Sequence, residues 1–333
     1  MFGVATVLLA LLCVSRADWA SYKREFNKTY PPDEDARRQR IYEESLREMT
    51  EHNILYERKL TTWRQGLTVF SDMTVEERSR FAGARTDTRK LFMKRKHFGS
   101  GFYQAFQAPA SIDWRDSKCI TTPKNQDGSG GCANSCWAFA TTGLLEYHYC
   151  MQHRTLKSFS EKYLVNCAGN RNCKAGDVDK ALDHVIATKE IPSEESYPYT
   201  THYEECREPG SDTFNMSDLV GYDRLQGDEE LLRAVAFQGP VAVYMLTGGT
   251  KLTAFRTTND DDIFSDDFCD QAGPRVIDHA VLVVGYGSNV NGKYWLVKNS
   301  WGTDWGQKGY FKISRDRANH CHISDYLFVP KYK

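Results

Sequence analysis

"NQDGSGGCANSCWAF", residues Asn125–Phe139, sets two cysteines four apart behind a loop of Gly, Ser and Asn, then runs into Trp137, Ala138 and Phe139. Residues 136–149 are apolar and read as a buried helix, with Cys136 at its N-terminal end. The positive end of the helix dipole there favours a thiolate. A thiol nucleophile needs a base to hold its proton, and an imidazole base needs a partner to fix its tautomer. His279 in "VIDHAVLVVGYG" opens a strand 143 residues later, and Asn299 in "YWLVKNSWG" lies 20 residues further on, between strands. A lone His on an apolar strand is usually structural. Cys136, His279 and Asn299 together fill three roles of one reaction, and Trp301 is placed to screen the His–Asn bond from water.

The chain on either side has two textures. In "EDARRQRIYEESLREMTEHN" the positions Glu34, Arg38, Tyr42, Ser45, Met49 and Asn53 recur at spacings of 4, 4, 3, 4 and 4, one face of a helix of about five turns. "GLTVFSDMTVEERSRF" alternates like a short strand and enters a helix, with Thr74 and Glu77 as a capping box. Residues 82–107 are basic and irregular, an exposed, cleavable connector. From "APASIDWR" onward the reading is helices first (136–149, Ser160–Cys167, Asp177–Thr188), then strands from about residue 219. That order predicts an α+β domain of two lobes, helical over about 119–218 and β over about 219–330, with the site in the cleft between them.

The composition suits globular domains: 333 residues, 41% hydrophobic, 26% charged, net charge -1. No apolar run of about 18 residues argues for a membrane span, and no basic, aromatic-interleaved patch argues for nucleic acid. The start, "MFGVATVLLALLCVSRA", reads as a signal peptide over residues 1–17. It puts nine cysteines in an oxidising compartment, an odd number that leaves one thiol as a candidate nucleophile. Asn27 and Asn215 head sequons for glycosylation. Residues 18–107 carry 18 Lys+Arg against 14 Asp+Glu, and residues 108–333 carry 24 against 30. Opposite signs favour docking of one part on the other, an attraction that acid weakens.

"NSCWAF", "DHAVLVVGYG" and "YWLVKNSWGTDWGQKGYF" resemble, in order, the motifs of the papain-like cysteine proteases, specifically the cathepsin L-like branch. The Glu34–Asn53 face resembles the family's propeptide motif, with Tyr, Ser and Met in its Phe, Asn and Ile places. "GLTVFSD" resembles the second propeptide motif, with Thr68 in place of Asn. The resemblance implies a papain-like two-lobed fold behind a helical inhibitory propeptide at 18–107, and a peptidase domain at 108–333 with its mature N-terminus near Ala108. It makes Cys136 the nucleophile and implies disulfides Cys132–Cys173, Cys167–Cys206 and Cys269–Cys321. Cys119 and Cys150 are extra, and either pair with each other or stay buried thiols.

Family members place an oxyanion-hole glutamine six residues before the nucleophile. Here Gly130 holds that place and Gln126 lies ten residues before Cys136, an apparent insertion of four residues. The upstream "TTPKNQ" keeps family register, so Gln126 is expected to reach the hole. A carboxypeptidase of the family has an insertion at this place that carries a His. Here the corresponding position is Asp127, whose charge would repel a terminal carboxylate, and the loop has no His. In "CKAGD", Gly176 matches the glycine that pairs with extended substrate, and Ala175 replaces its neighbour. By offset, the main specificity pocket is lined by Asp177, Val178, Tyr244, Ile277, Ala280 and Tyr326. The two tyrosines predict a short pocket, poor for Phe and better for Pro or Val. The acidic stretch 257–267 reads as a solvated loop.

The expected function is a zymogen of a cysteine endopeptidase that works through an acyl-enzyme, secreted or lysosomal, monomeric and free of cofactor and metal. Its partners would be protein and peptide substrates, its own propeptide and cystatin-type inhibitors. The altered loop, Ala175 and the crowded pocket leave two alternatives: a weak or inactive homologue kept for binding, and a carboxypeptidase restricted by the insertion.

Overall fold

Helix α1, Pro32–Glu57, begins on a proline that loses no hydrogen bond there and three acidic residues in its first turn. The computed structural model describes residues 19–82, 107–126, 132, 134–168, 176–271 and 277–333. The signal segment 1–17, nearly all of the basic connector, Asp127, Gly130, Cys173 and Ala175 lie outside the described residues. The predicted face of α1 holds the returning chain. Arg38, steadied by Glu34, forks onto Glu77 at 2.5 and 2.7 Å and donates to the Asp72 carbonyl at 3.0 Å. Asn53 pairs with both backbone groups of Gln65 at 3.0 Å. Tyr42 is buried against Trp19 and Tyr22. The capping box forms, with the Glu77 N–H on Thr74 and the Thr74 N–H on Glu77, at the start of the short helix α2, Val75–Arg78.

The strand expected in "GLTVFSD" does not form. Its alternation records burial on two sides, not pairing. Thr68 and Ser71 close a turn, while Gly66 N–H and Thr68 Oγ1 donate to the Ala254 and Thr253 carbonyls. The acidic stretch 257–267 is likewise not a free solvated loop. Asp262 is buried and accepts from the Tyr56 hydroxyl and the Arg64 N–H, Ile263 exchanges two bonds with Thr62, and Ser265 accepts from the Trp63 indole.

Beyond this segment the chain forms two lobes. Helix α3, Cys136–His153, is apolar around nearly its whole circumference because it packs on both helix α4, Val178–Thr188, and the sheet. The helix read at Ser160–Cys167 is a single turn, Glu161–Tyr163, continued by a π-turn to Ala168. A two-stranded pair, β2 (Glu190–Pro192) with β3 (Thr213–Asn215), completes this lobe. Both sequon asparagines, Asn27 and Asn215, are exposed.

The second lobe is an antiparallel sheet of order β4-β9-β5-β6-β7-β8, with β1 (Ile112–Asp113) on β6. Its strands are β4 Leu219–Leu225, β5 Val241–Met245, β6 His279–Asn289, β7 Gly292–Lys298, β8 Tyr310–Ser314 and β9 Leu327–Tyr332. Strands β4 through β8 were legible from the sequence. Strand β9 and helix α5, Asp228–Phe237, were not read from the sequence. One apolar core lies between α3 and the sheet; the other lies behind the sheet and takes in Trp63, Phe70 and Phe81 from the N-terminal segment. Cystines join Cys119–Cys150, Cys167–Cys206 and Cys269–Cys321. Cys132 is also disulfide-bonded, and its expected partner Cys173 is outside the described residues. Among the described residues no helix is long and apolar enough to cross a membrane.

Candidate active site

Three element boundaries converge on the cleft. Cys136 is the first residue of α3, His279 the first of β6, and Asn299 follows the last residue of β7. Antiparallel pairing of β6 with β7, Leu282 opposite Lys298, brings His279 beside Asn299. His279 Nε2 meets Asn299 Oδ1 at 2.8 Å, and the Ser300 N–H donates to the same oxygen at 2.8 Å. An Nε2–H donor leaves Nδ1 as the basic nitrogen, and Nδ1 has no hydrogen-bond partner among the described residues. Trp301 stacks on the imidazole at 4.9 Å and is 3% exposed, so it shields the His–Asn bond. From the sheet side, the Ala280 N–H reaches Cys136 Sγ at 3.4 Å.

Burial pushes His279 down to about 4, against the Asn299 side chain and the Phe81 carbonyl, both of which favour the protonated ring. Phe81 is one residue that sequence reasoning missed. Its carbonyl accepts from Gln126 Nε2 at 3.2 Å, and its ring meets Phe70 edge-on, which in turn meets Trp301. Gln126 is fully buried despite the longer loop after it. The Ser300 carbonyl accepts its backbone N–H at 2.8 Å, and Ser300 Oγ donates to its Oε1 at 2.6 Å. Those two bonds turn the Nε2 group toward the cleft. Ser300 lies between two residues singled out from the sequence, and only that position could have pointed to it.

The residues expected to line the specificity pocket also gather. Val178, Tyr244, Ile277, Ala280 and Tyr326 share one apolar cluster with Cys136. The Val178 N–H donates to Tyr244 Oη at 2.8 Å, so a sheet-lobe tyrosine caps the first turn of α4 in the other lobe. The Tyr244 and Tyr326 rings lie 6.2 Å apart at 65°, and Tyr244 also packs on Phe328. Asp177 precedes α4 with its carboxylate 3.3 Å from Lys180, and burial raises its pKa. A Cβ on Gly176 would fall 2.3 Å from the Trp137 ring, so only glycine lets the chain pass there.

Residues 108–331 match the model of the papain family cysteine proteases. The chain belongs to that family. Residues 19–77 match the cathepsin propeptide inhibitor domain. The chain is 34% identical over 335 residues to a cathepsin L-like proteinase of Fasciola hepatica, covering 99% of this chain and 98% of that one. It is 33% identical to procathepsin L of Mus musculus, covering 97% and 98%. A digestive procathepsin L2 proteinase from Tenebrio molitor larval midgut superposes with a TM-score of 0.85 at 31% identity, covering 95% of this chain and 99% of that one. This papain-family chain is therefore a cysteine endopeptidase in precursor form, with an α+β papain-like fold behind an inhibitor domain.

Proposed function

We propose that the precursor enters the secretory pathway, is activated in acid in a lysosome or outside the cell, and then cleaves peptide bonds internally. Cys136 Sγ gives its proton to His279 Nδ1 and attacks the scissile carbonyl carbon. The carbonyl oxygen, now an anion, is held by Gln126 Nε2 and the Cys136 N–H. His279 returns the proton to the leaving amine as the C–N bond breaks, which leaves a thioester on Cys136. Water, deprotonated by His279, attacks the thioester, and the thiol departs with the proton. Asn299 fixes the imidazole tautomer throughout.

The observation that carries this reading is the Phe81 carbonyl on Gln126 Nε2, beside the His279–Asn299 pair. An amide carbonyl already sits where the oxyanion would form, which supports Gln126 as the donor and residues 18–107 as the internal inhibitor. Phe and larger side chains would fit the Tyr244–Tyr326 pocket poorly; Val or Pro would fit better. Processing near Ala108, glycans on Asn27 and Asn215, a monomeric state and inhibition by cystatin-type proteins complete the reading.

The test is digestion of a mixture of unstructured peptides by the acid-activated protein, with products identified by mass spectrometry. Internal cuts after a residue that follows Val or Pro are expected. Removal of single C-terminal residues, or no products together with no reaction with a thiol-directed epoxide, would overturn it.

A further inference from the structure

Residues 127–131, "DGSGG", include three glycines, which accept either sign of φ, so the segment's sequence imposes no single path on its two ends. Gln126 is nonetheless placed with Nε2 on the Phe81 carbonyl. Ser300 holds one edge of Gln126, its backbone N–H and its side-chain oxygen. The other edge, its backbone carbonyl, is held by Tyr199.

The Tyr199 hydroxyl lies 2.9 Å from the Gln126 carbonyl, 3.3 Å from the Cys132 carbonyl and 2.7 Å from Ser135 Oγ. A phenol has one proton to give and can accept in return. It donates to the nearer carbonyl, that of Gln126; Ser135 Oγ–H donates to it; the Cys132 carbonyl is the second, longer acceptor. Its three partners are the residue before the glycine-rich segment, the half-cystine after it and the residue before Cys136. The ring is fixed in turn. It stands edge-on to Phe139 of α3 at 4.9 Å, its N–H donates to Glu194 Oε1 at 2.7 Å, and two residues on the Thr201 carbonyl accepts the Cys132 N–H at 3.0 Å.

We infer that Tyr199 is a positioning residue for the hydrolysis: its hydroxyl ties together the two ends of the inserted loop and so keeps Gln126 Nε2 aimed at the oxyanion. The inference rests on the role given to Gln126 above. In this role Tyr199 acts through Gln126 and not on the substrate itself.

A double-mutant cycle tests it on the full chain, folded and then activated in acid: Tyr199→Phe, Gln126→Ala and both together. Each is assayed for kcat and KM on one peptide substrate and for alkylation of Cys136 by iodoacetamide, a reaction that forms no oxyanion. Tyr199→Phe should lower kcat about 10-fold, part of the roughly 100- to 1000-fold that loss of an oxyanion donor costs, and leave KM and the alkylation rate near wild type. In the Gln126→Ala background it should lower kcat no further. An unchanged kcat in Tyr199→Phe, a loss that multiplies with that of Gln126→Ala, or an equal fall in alkylation would each overturn the inference. Wild-type kcat in Gln126→Ala would overturn the oxyanion assignment itself, and this inference with it. If Tyr199→Phe does not fold, Ser135→Ala removes one contact of the same hydroxyl and goes through the same cycle, where a multiplying loss again overturns it.

Discussion

At the thiol, the seam between the lobes is crossed by a long contact, the Ala280 N–H to Cys136 Sγ at 3.4 Å, and His279 Nδ1 has no hydrogen-bond partner among the described residues. A few residues away, at the pocket, Tyr244 crosses the same seam and takes the Val178 N–H at 2.8 Å. The two crossings start from residues that face each other on adjacent strands, since Tyr244 of β5 stands opposite Ala280 of β6. Where bonds must change, the seam is left with a basic nitrogen and a sulfur facing an occupant. Where shape must persist, it is closed by a hydrogen bond. The proposed chemistry and the proposed selectivity thus share one backbone frame and should respond separately to substitution.

Cys136→Ala should abolish turnover, a loss of about 10^6-fold by analogy with the removal of other nucleophiles, while thermal melting stays near wild type. A residual rate within about 1000-fold of wild type would mean that a second group does the chemistry, and the comparison would fail at its first term. Gln126→Ala should lower kcat by about 100- to 1000-fold and leave the pocket's ranking of side chains intact. A changed ranking would show that the two crossings are coupled.

Tyr244→Ala probes the other side. It should improve kcat/KM for Phe relative to Val in the pocket by about 10- to 100-fold, the range that apolar pocket contacts can discriminate. It should also cost about 3–5 kcal/mol of stability, because a buried ring leaves a cavity and the Val178 N–H loses its acceptor. Tyr244→Phe, which keeps the ring, should hold selectivity constant and cost about 1 kcal/mol, read by thermal melting. A selectivity change in Tyr244→Phe would locate the discrimination in the hydroxyl instead of the ring.

The smallest effect concerns pH. His52 is buried against Trp63 and bonded to its carbonyl at 3.0 Å; burial lowers its pKa, with Lys251 acting in the same sense and the Trp63 carbonyl and Asp266 opposing. A histidine depressed in the folded state is neutral there and gains a proton on release. Its contribution to holding the propeptide is therefore full above about pH 6.5 and declines as pH falls below that value. His279, pushed down to about 4, works in the same direction. His52→Gln should move the midpoint of acid processing lower by about half a pH unit, measured as the fraction processed against pH. A midpoint that stays put would leave the release to other groups.

Cys136, His279 and Asn299 were legible because each sits where a helix or strand with a readable pattern begins or ends. Phe81, Ser300 and Tyr199 were not, because their roles arise from approaches between segments tens of residues apart in the chain. "GLTVFSD" misled for a related reason: alternation marks two unlike faces, and here both faces are covered, one by α1 and one by the peptidase. Asp262 reads as solvated when its neighbours in sequence are counted. The arrival of Tyr56 and Arg64 from another segment gives the buried carboxylate donors that its neighbours in sequence do not reveal. The offset from the motifs singled out Tyr244 as a candidate pocket residue; its bond to Val178 could not be read that way.

Cys136 is 0% exposed while Phe81 lies in the cleft. The chain oxidises other cysteines to cystines and must still deliver this one as a thiol. A reactive thiolate open to solvent would be carried by peroxide to a sulfenic acid and onward to forms that no longer attack a carbonyl. A propeptide that covers the thiol against substrate would cover it against small oxidants as well. The precursor would then be a storage form in the redox sense as well, with the thiol opened to oxidants when the propeptide leaves.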